Sequence, residues 1–435
     1  MSKEPKRFKQ TEIGELPEEW EVVKLGDVAR VFAGSSAPQK REYFENGIFP
    51  FVRVQDLARY GQTRCLREVA DKVNERAVQE HHMVLARKGT IVFPKSGAAL
   101  EKNHRAILGV DAYIVSHLAA VEVNPEKVSN EFLFWWLCRV DMASLNPNPG
   151  YPSIRLEEIK ALPIPLPPLE EQRRIAGVLR LVDRVAEKTK RIINIYEKAK
   201  KFALKHLLTR GIGHTRFKQT EIGELPEEWE VVRLGDVFSE QKNRINPQDY
   251  AEEIFALYSI PAYDQDCKPE ILNGRQIGSQ KFIFEPPAIL LSRLNPRNYR
   301  VWLVQNPLGY KEIASTEFVI MKPNMDIDVV FGYYLCLSPF VRNRIQHLVE
   351  GTTGSRQRID AKDVFNIPIP LPPLEEQKQI AEMLSTIDAA IENERKYLGV
   401  LEKCKKWMLD NLLTGKVRLP PEVDEILKGV LPDAF

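Results

Sequence analysis

A near-identical internal duplication restricts the fold of this 435-residue chain more than any other feature. Residues 7–28 read RFKQTEIGELPEEWEVVKLGDV, and residues 216–237 repeat all 22 positions except one, where Lys24 is replaced by Arg233. We call this segment the opening repeat. Because an internal repeat marks a repeated structural unit, the chain is predicted to contain two copies of one unit.

A second duplicated segment, PIPLPPLEEQ, lies at 163–172 and again at 368–377. We call it the proline segment. In both copies an LLT tripeptide ends 37 residues after the glutamine, although most of the residues in between differ. A length that is kept while the sequence changes indicates that a distance is being specified. Each half of the chain therefore consists of an opening repeat, a variable region, a proline segment and a long segment of fixed length.

The long segment of each half is predicted to form an amphipathic helix with a coiled-coil seam, because apolar residues recur at alternating spacings of three and four. Proline and glutamate precede each segment, which is typical of a helix start. About 38 residues at ~1.5 Å each give a rod of roughly 55 Å. The predicted seam residues are Ile175, Val178, Val182, Val185, Ile192, Tyr196, Ile380, Met383, Ile387, Tyr397, Leu401 and Met408.

Two arrangements of these helices are open. The first long segment has 11 Lys and Arg against 5 Asp and Glu, and the second has 6 against 8, so opposite charge favours pairing of the two helices. Alternatively, each helix packs only on its neighbouring domain. The equal lengths favour the paired spacer.

The variable regions, 29–162 and 238–367, contain short runs rich in β-branched and aromatic residues between Gly, Pro and Asn breaks. Examples are FPFVRVQDL and GTIVFPKSG in the first region, and AILLSRL and FVIMKP in the second. The run EFLFWWLCRV is predicted to be a helix, and VFGYYLCLSP is its faint echo in the other half. Each region is therefore predicted to be a mixed α+β domain, and the two are predicted to share a fold.

Composition indicates an intracellular protein. The five cysteines lie far apart and form no CxxC pair, so neither a disulfide framework nor a cysteine-rich zinc site is predicted. The N-terminal sequence lacks the apolar core of a signal peptide, and no apolar run approaches the roughly 18 residues that span a bilayer. We therefore expect a cytoplasmic chain without membrane association.

The sequence lacks recognisable motifs for catalysis. Neither Asn-Pro pair continues into the Asn-Pro-Pro-aromatic loop with which amino-methyltransferases hold a flipped base, so both are interpreted as turns. The phosphate-binding GxxxxGK[ST] pattern is absent, and the histidines lack partners at metal-ligand spacing. The acidic pairs Glu157–Glu158, Glu170–Glu171 and Glu375–Glu376 are interpreted as solvated or as lying at helix starts. We therefore expect a binding protein without enzymatic activity, cofactor or metal.

Two basic segments, one in each variable region, are candidate binding surfaces. Residues 87–105 and residues 275–300 each carry five Lys and Arg against one Glu. Such side chains on loops beside strands, together with polar loops ahead of each proline segment, supply donors for DNA phosphates and base edges. The alternative is ordinary charged surface. The predicted DNA-binding residues are Arg87, Lys88, Lys95, Ser96, Lys102, His104, Arg105, Arg155, Arg275, Lys281, Ser292, Arg293, Arg297, Asn298, Tyr299, Arg300, Arg356 and Arg358.

The whole pattern resembles the specificity subunit of type I restriction-modification systems. The resemblance covers nearly the entire chain and rests on the start LPEEWEVVKLGDV, the duplicated PIPLPPLEEQ with its helix to LLT, and two dissimilar regions held between the repeats. It implies an α+β fold with two target recognition domains separated by two long antiparallel helices that form a coiled coil, related by a pseudo-twofold duplication.

The resemblance also implies a function without catalysis. Each variable domain would read one half of a bipartite, asymmetric double-stranded DNA target, while the paired helices fix the gap between the halves. Two modification subunits, which carry the adenine N6-methyltransferase activity and use S-adenosylmethionine, would dock on the helices, and ATP-dependent restriction subunits would join them. The recognition domains are the part that family members do not share, so the resemblance assigns no base contact to any residue.

The repeats predict five consecutive parts. Residues 1–162 form a first recognition domain with its opening repeat, and residues 163–215 a first proline segment and spacer helix. Residues 216–367 form a second recognition domain with its opening repeat, and residues 368–415 a second proline segment and spacer helix. Residues 416–435 form a C-terminal tail.

Two other functions are compatible with the residues. An autonomous sequence-specific DNA-binding regulator built from a duplicated unit would bind its site without partners, and a coiled-coil assembly scaffold would have no salt-dependent affinity for DNA. In all three cases the opening repeats are predicted to be packing anchors and not readers, through Leu16, Trp20, Val22, Leu25, Leu225, Trp229, Val231 and Leu234.

Overall fold

A computed structural model describes residues 7–59, 64–146, 152–348 and 357–431. By their contacts the residues divide into two units, one formed by Met1–Arg191 with Lys396–Phe435 and the other by Ile192–Arg395. Each unit therefore contains one opening repeat, one variable region, one proline segment and a part of both long helices.

The first unit is mixed α and β. Its strands are Phe8–Thr11, Gly14–Pro17, Glu21–Lys24, Ala29–Ala33, Phe49–Val52, Cys65–Leu66, Asp71–Val73, Leu85–Ala86, Ile91–Pro94, Ala106–Leu108, Ala112–Ile114, Leu118–Val123 and Pro163–Leu166. Its shorter helices are Leu25–Val28, Val54–Arg59, Glu75–Glu80, Asn130–Arg139, Leu156–Lys160 and Val423–Val430, with 3-10 turns at Arg41–Tyr43 and Met142–Leu145.

The second unit has closely similar elements. Its strands are Phe217–Thr220, Gly223–Pro226, Glu230–Arg233, Phe238–Glu240, Arg244–Ile245, Ile254–Tyr258, Glu270–Asn273, Lys281–Ile283, Ala288–Ser292, Val301–Val304, Lys311–Ala314, Phe318–Pro323 and Pro368–Leu371. Its shorter helices are Leu234–Val237, Ile260–Asp266, Val329–Leu337, Pro339–His347 and Ala361–Phe365, with 3-10 turns at Pro247–Tyr250 and Gly274–Gln276.

Both variable regions contain the same pair of sheets, which confirms that they share a fold. One sheet has the order Ala29–Ala33, Leu118–Val123, Ile91–Pro94, Ala106–Leu108 in the first unit and Phe238–Glu240, Phe318–Pro323, Ala288–Ser292, Val301–Val304 in the second. In the other sheet, Ala112–Ile114 runs parallel to Phe49–Val52, as Lys311–Ala314 does to Ile254–Tyr258.

The predicted helix EFLFWWLCRV is confirmed as Asn130–Arg139, and its echo forms Val329–Leu337. All side chains from Phe132 to Leu137 are buried. A helix that is apolar on every side must lie inside a core. It does so in the first unit's largest hydrophobic cluster, next to the opening repeat and the start of the first long helix.

The two long helices span Leu169–Arg210 and Leu374–Leu412. Their 42 and 39 residues correspond to roughly 63 and 58 Å at ~1.5 Å per residue, slightly longer than predicted. Both begin directly after two prolines and have two glutamates in the first turn.

Ion pairs show that the long helices are antiparallel. In the first unit, Lys190 pairs with Glu402 at 3.1 Å, and Asp183 pairs with Lys405 further along the second helix. In the second unit the pairs are Glu197 with Arg395 at 2.6 Å and Lys200 with Asp388 at 2.5 Å. In both units, partner numbers fall on one helix as they rise on the other. The coiled coil predicted from the equal lengths and opposite charges is thereby confirmed.

The predicted seam is partly displaced. Ile193, Leu384 and Ile391 are buried, whereas Ile192 and Met383, one position earlier, are exposed. Tyr397 is also exposed, and Val178, Val182, Val185, Tyr196, Ile387, Leu401 and Met408 are partly buried. Ile175 and Ile380 are fully buried, but each belongs to a core that also contains its variable region and opening repeat. The helix starts therefore pack on their domains, as the alternative arrangement predicted, while charged pairs join the helices further along.

Candidate nucleic-acid interface

The two duplicated segments of each half form one frame around the variable region. The opening repeat makes a β-hairpin, and its next strand pairs antiparallel with the proline segment, Glu21–Lys24 with Pro163–Leu166 in the first unit. Glu230–Arg233 and Pro368–Leu371 pair in the same register in the second unit. Segments more than 130 residues apart in sequence are therefore two sides of one small structure.

The predicted packing anchors of the opening repeats are confirmed. The fully buried ones are Leu16, Trp20, Leu25, Trp229 and Leu234, Leu225 is 2% exposed, and Val22 and Val231 are partly buried. Gly211 and Gly415 have positive φ values of 64° and 67° and lie against Trp229 and Trp20 respectively. Each glycine follows the end of a long helix, and a Cβ there would clash with its neighbours. Glycine therefore lets the chain pass close to a tryptophan of the frame as it leaves the helix.

A buried glutamine ties each long helix to its variable region. The Gln172 amide donates to the carbonyl oxygens of Pro167 at 2.8 Å and Lys127 at 3.2 Å, and its oxygen accepts from the Ser129 N–H at 2.8 Å. In the second unit, Gln377 makes the same three bonds, to Pro372, Asp326 and Asp328. Both glutamines are fully buried. The glutamine side chain at the start of each long helix therefore holds the backbone just before the buried helix of its unit, Asn130–Arg139 or Val329–Leu337.

The glutamate before each glutamine lies at a helix start, as expected, but it is not solvated: Glu171 is buried and Glu376 is partly buried. Glu171 accepts from Trp20 Nε1 at 3.1 Å and pairs with the Arg418 guanidinium. Glu376 accepts from Trp229 Nε1 at 2.8 Å and pairs with His214 Nε2 at 2.9 Å. Sequence reasoning missed this role, although the repetition of Glu-Glu-Gln in both halves was the signal for it.

In the first variable region, the exposed candidates are Arg87, Lys88, Lys102 and Arg155. Arg87 and Lys88 line a cavity of about 440 Å³ together with Arg173. Lys95 and His104 are partly buried, and Ser96 is buried with its Oγ 2.7 Å from His117 Nδ1. The structure thus presents four accessible donors and turns Ser96 inward.

Arg105 holds a loop together and is not available to a ligand. Its side chain is 6% exposed and donates to Asn103 Oδ1 at 2.7 Å and to the Val140 carbonyl. Burial lowers the pKa of this guanidinium. A side chain bound in this way does not reach DNA, so Arg105 leaves the candidate set.

Two candidates of the second variable region, Lys281 and Ser292, are likewise buried, and Tyr299 is partly buried. Lys281 donates to the Ser279 carbonyl at 3.0 Å, and burial lowers the pKa of its ammonium group. Ser292 donates to the Leu294 carbonyl at 3.0 Å. Tyr299 donates to the Cys336 carbonyl at 2.7 Å, and burial raises the pKa of its phenol well above 10. All three side chains bond to backbone carbonyls of their own domain.

Three arginines of the second unit are neutralised by carboxylates. Arg300 makes a bidentate pair with Asp264 at 2.6 and 2.7 Å, and the guanidinium lowers the pKa of that carboxyl. Arg358 pairs with Glu317 at 2.5 Å and Arg275 with Glu252 at 3.4 Å. Arg356 lies outside the described residues.

Arg297, Asn298 and Arg293 remain in the second unit. Arg297 and Asn298 are exposed, and the described part of the chain shows no carboxylate paired with Arg297. The Arg293 Nε is buried without a hydrogen-bond partner among the described residues, and the side chain lines a groove of about 660 Å³ with Arg233, Lys242 and Lys362. The second surface is thus smaller than the sequence predicted and centres on the loop at 293–298.

Within the described ranges, no group of three His, Cys, Asp or Glu side chains could hold a metal ion. No helix described here is long and apolar enough to cross a membrane.

The sequence model of the type I restriction modification DNA specificity domain matches residues 17–197 and, again, residues 226–403. The chain belongs to this family. Both matches begin at the same position of the opening repeat, Pro17 and Pro226, so the two specificity domains follow the internal duplication. As a specificity subunit, the protein serves recognition and not catalysis.

Full-length relatives agree with this assignment. The putative type I restriction enzyme MjaX specificity subunit of Methanocaldococcus jannaschii is 30% identical, with coverage of 95% of this chain and 97% of the relative. The MjaVIII specificity subunit of the same organism is 29% identical over 95% of this chain and 96% of its own.

Two solved structures have the same fold. The S subunit of a type I restriction-modification system from M. genitalium has a TM-score of 0.57 at 15% identity and covers 91% of this chain and 96% of its own. A chain from a study of complex assembly and conformational transition of the type I R-M system has a TM-score of 0.53 at 19% identity, covering 92% and 99%. At these identities the likeness concerns the fold alone.

Proposed function

We propose that this specificity subunit reads a bipartite, asymmetric DNA target, one half with each variable region. The observation that supports this is the combination of one shared fold, one shared frame and two different sets of exposed donors. Arg87, Lys88, Lys102 and Arg155 face solvent in the first unit, and Arg297 and Asn298 in the second. Two different readers would recognise two different half-sites, unlike a symmetric dimer.

Mapping N6-methyladenine in the DNA of a host that expresses this chain with its modification partner tests the proposal. We expect one motif with two unlike halves and a fixed gap. A continuous or palindromic motif would contradict the model of two readers. The complex would act in the cytoplasm, and the antiparallel helices would fix the gap.

Replacing Arg297 with Ala is expected to weaken specific binding by about 1–3 kcal/mol and to relax one half-site only, as loss of a bidentate guanine contact would. Competition binding against a panel of single-base variants measures this. Arg216→Ala, which removes an exposed arginine of the opening repeat, is the matched control and should leave both halves unchanged. An equal loss of base discrimination in both half-sites after Arg297→Ala would refute the assignment.

We further propose that two modification subunits dock on a duplicated apolar stripe of the long helices, and that ATP-dependent restriction subunits join this complex. On the first helix Ile192, Ile195 and Phe202 are 38%, 62% and 69% exposed, all within the second unit. On the second helix the equivalent residues, which lie within the first unit, are 49%, 62% and 52% exposed, namely Tyr397, Val400 and Trp407.

Large apolar side chains at repeated, solvent-facing positions mark protein interaction sites, and two equivalent stripes would take two copies of one partner. Ile195→Asp is expected to weaken binding of one modification subunit at least about tenfold, because a carboxylate would be buried in an apolar contact. Native mass spectrometry should show one bound modification subunit for Ile195→Asp alone. It should show no bound modification subunit for the double variant Ile195→Asp with Val400→Asp. Asn194→Asp, an exposed neighbour, is the control; an unchanged stoichiometry in the double variant would contradict docking at the stripe.

A further inference from the structure

The second unit contains a helix that has no counterpart among the described residues of the first. Pro339–His347 follows the buried helix Val329–Leu337 almost without a break. After Asn130–Arg139 the first unit has the 3-10 turn Met142–Leu145 within the part described up to residue 146. The two units are otherwise closely similar, so this helix is a specific addition to the second variable region.

One face of the added helix anchors it firmly. Val341 and Ile345 are fully buried in the core of the second unit. Ser338 caps the helix, since its Oγ accepts from the Val341 N–H at 3.2 Å, and Pro339 occupies the first turn. A capped helix with a buried apolar face presents its other face in a fixed orientation.

Beyond Pro339, the exposed side chains of the helix are all polar. Arg342, Asn343, Gln346 and His347 are exposed and lie on one side at spacings of one, four and five residues. The helix sequence PFVRNRIQH contains no carboxylate. Arginine pairs with guanine in the major groove, and asparagine and glutamine pair with adenine.

These polar side chains have no ion-pair or hydrogen-bond partner among the described side chains of the unit. In the described part of the chain, no carboxylate pairs with Arg342 and no side chain bonds to Asn343 or Gln346. The Arg342 guanidinium lies 5.7 Å from the centre of the Tyr299 ring, which is itself fixed by the hydroxyl bond to Cys336. The cation–π contact therefore aims Arg342 without neutralising it.

The loop with Arg297 and Asn298 lies beside this helix. Tyr299 directly follows the loop with the exposed Arg297 and Asn298, so that loop and the helix are neighbours. Arg342, Asn343 and Gln346 line a groove of about 700 Å³ whose other wall carries Lys201 and two ion pairs, Lys200 with Asp388 and Arg395 with Glu197. The loop and the helix, whose exposed side chains include no carboxylate, thus belong to one surface of the second unit.

We propose that the helix Pro339–His347 is the base-reading element of the second unit and inserts Arg342, Asn343 and Gln346 into the major groove of its half-site. The inference rests on the proposed DNA-reading function. The major groove admits an α-helix, and protein–DNA interfaces are polar and positive. A protein partner would need apolar side chains at the centre of its contact, which this face lacks and the stripes on the long helices have.

The test uses the purified complex of the full chain with its modification subunits and a DNA library randomised over both half-sites. In Asn343→Ala and in Gln346→Ala, discrimination is expected to fall by about tenfold to a hundredfold at one base pair of one half-site, while the other half-site keeps its preference. Asn393→Ala and Gln379→Ala, exposed on the second long helix, are matched controls and should leave the whole motif unchanged.

Two outcomes would overturn the assignment of the helix. Uniform weakening on all sequences would show phosphate contacts without base reading, and loss of a modification subunit with an unaltered motif would show a protein-docking face. If the unsubstituted complex selects no bipartite motif at all, the proposed function itself fails. The unsubstituted control therefore separates the two failures.

Discussion

Replacing residues 29–162 with the corresponding region of another specificity subunit is expected to change one half of the methylated motif entirely and to leave the other half unaltered. The frame shares a hydrophobic core with this region and also holds it through backbone groups. Gln172 bonds to the Lys127 carbonyl and the Ser129 N–H, and the Leu25 N–H donates to the Leu162 carbonyl at 2.8 Å. Because backbone groups are the same in every sequence, a foreign region with the same fold can be held in the same way.

Methylome mapping of the chimera with its modification partner measures the outcome. The reciprocal exchange of residues 238–367 should alter the opposite half, since Gln377 holds the second region through the Asp326 carbonyl and the Asp328 N–H. An exchange of residues 7–28 with 216–237 is the control, because the two segments differ only at Lys24 and Arg233. A change in both half-sites after either single exchange would show that the readers are not independent.

The architecture was predictable because the sequence contains an internal duplication. The repeats gave the order of the parts, the spacing of 37 residues gave two long helices of nearly equal length, and the echo of EFLFWWLCRV showed that the variable regions share a fold. Heptad spacing located the helices but not the seam. A shift of one position, from Ile192 to Ile193, rotates the buried face by about 100°, and apolar residues occur on both faces because the outer stripe is apolar too.

For the candidate site, the sequence predicted which segments are rich in positive charge but not which of their side chains are exposed. Arg87 and Arg105 belong to the same basic segment, yet one is exposed and the other is buried on the Val140 carbonyl. Which arginine a loop turns inward depends on contacts with distant segments, such as Asp264 for Arg300 and Glu317 for Arg358. The helix Pro339–His347 was not predicted as a DNA-binding element because its nine residues include only two arginines and no lysine. Its lack of carboxylates and its Arg, Asn and Gln residues were nevertheless visible in the sequence.

Of the frame residues, the glutamine of the proline segment is predicted to contribute most to the unfolding free energy of its unit. Gln172→Leu would leave a buried N–H and two carbonyls without their partner, and each unsatisfied group costs about 1–3 kcal/mol. Partial relaxation at the edges of the cavity reduces that sum, so we expect the first unit to lose about 3 kcal/mol of unfolding free energy. Gln377→Leu should do the same to the second unit. Gln379→Leu, an exposed position two residues after Gln377, is the control and should stay within about 0.5 kcal/mol.

Hydrogen exchange distinguishes the units, because buried central strands exchange only when their own unit opens. In Gln172→Leu the amides of Ile91–Pro94 should exchange on the order of a hundredfold faster while those of Ala288–Ser292 are unaffected, and in Gln377→Leu the reverse should hold. Equal acceleration in both strands would mean that the chain unfolds as one cooperative block. In that case each variable region would depend on the other's stability, and exchanging one reader could not leave its neighbour intact.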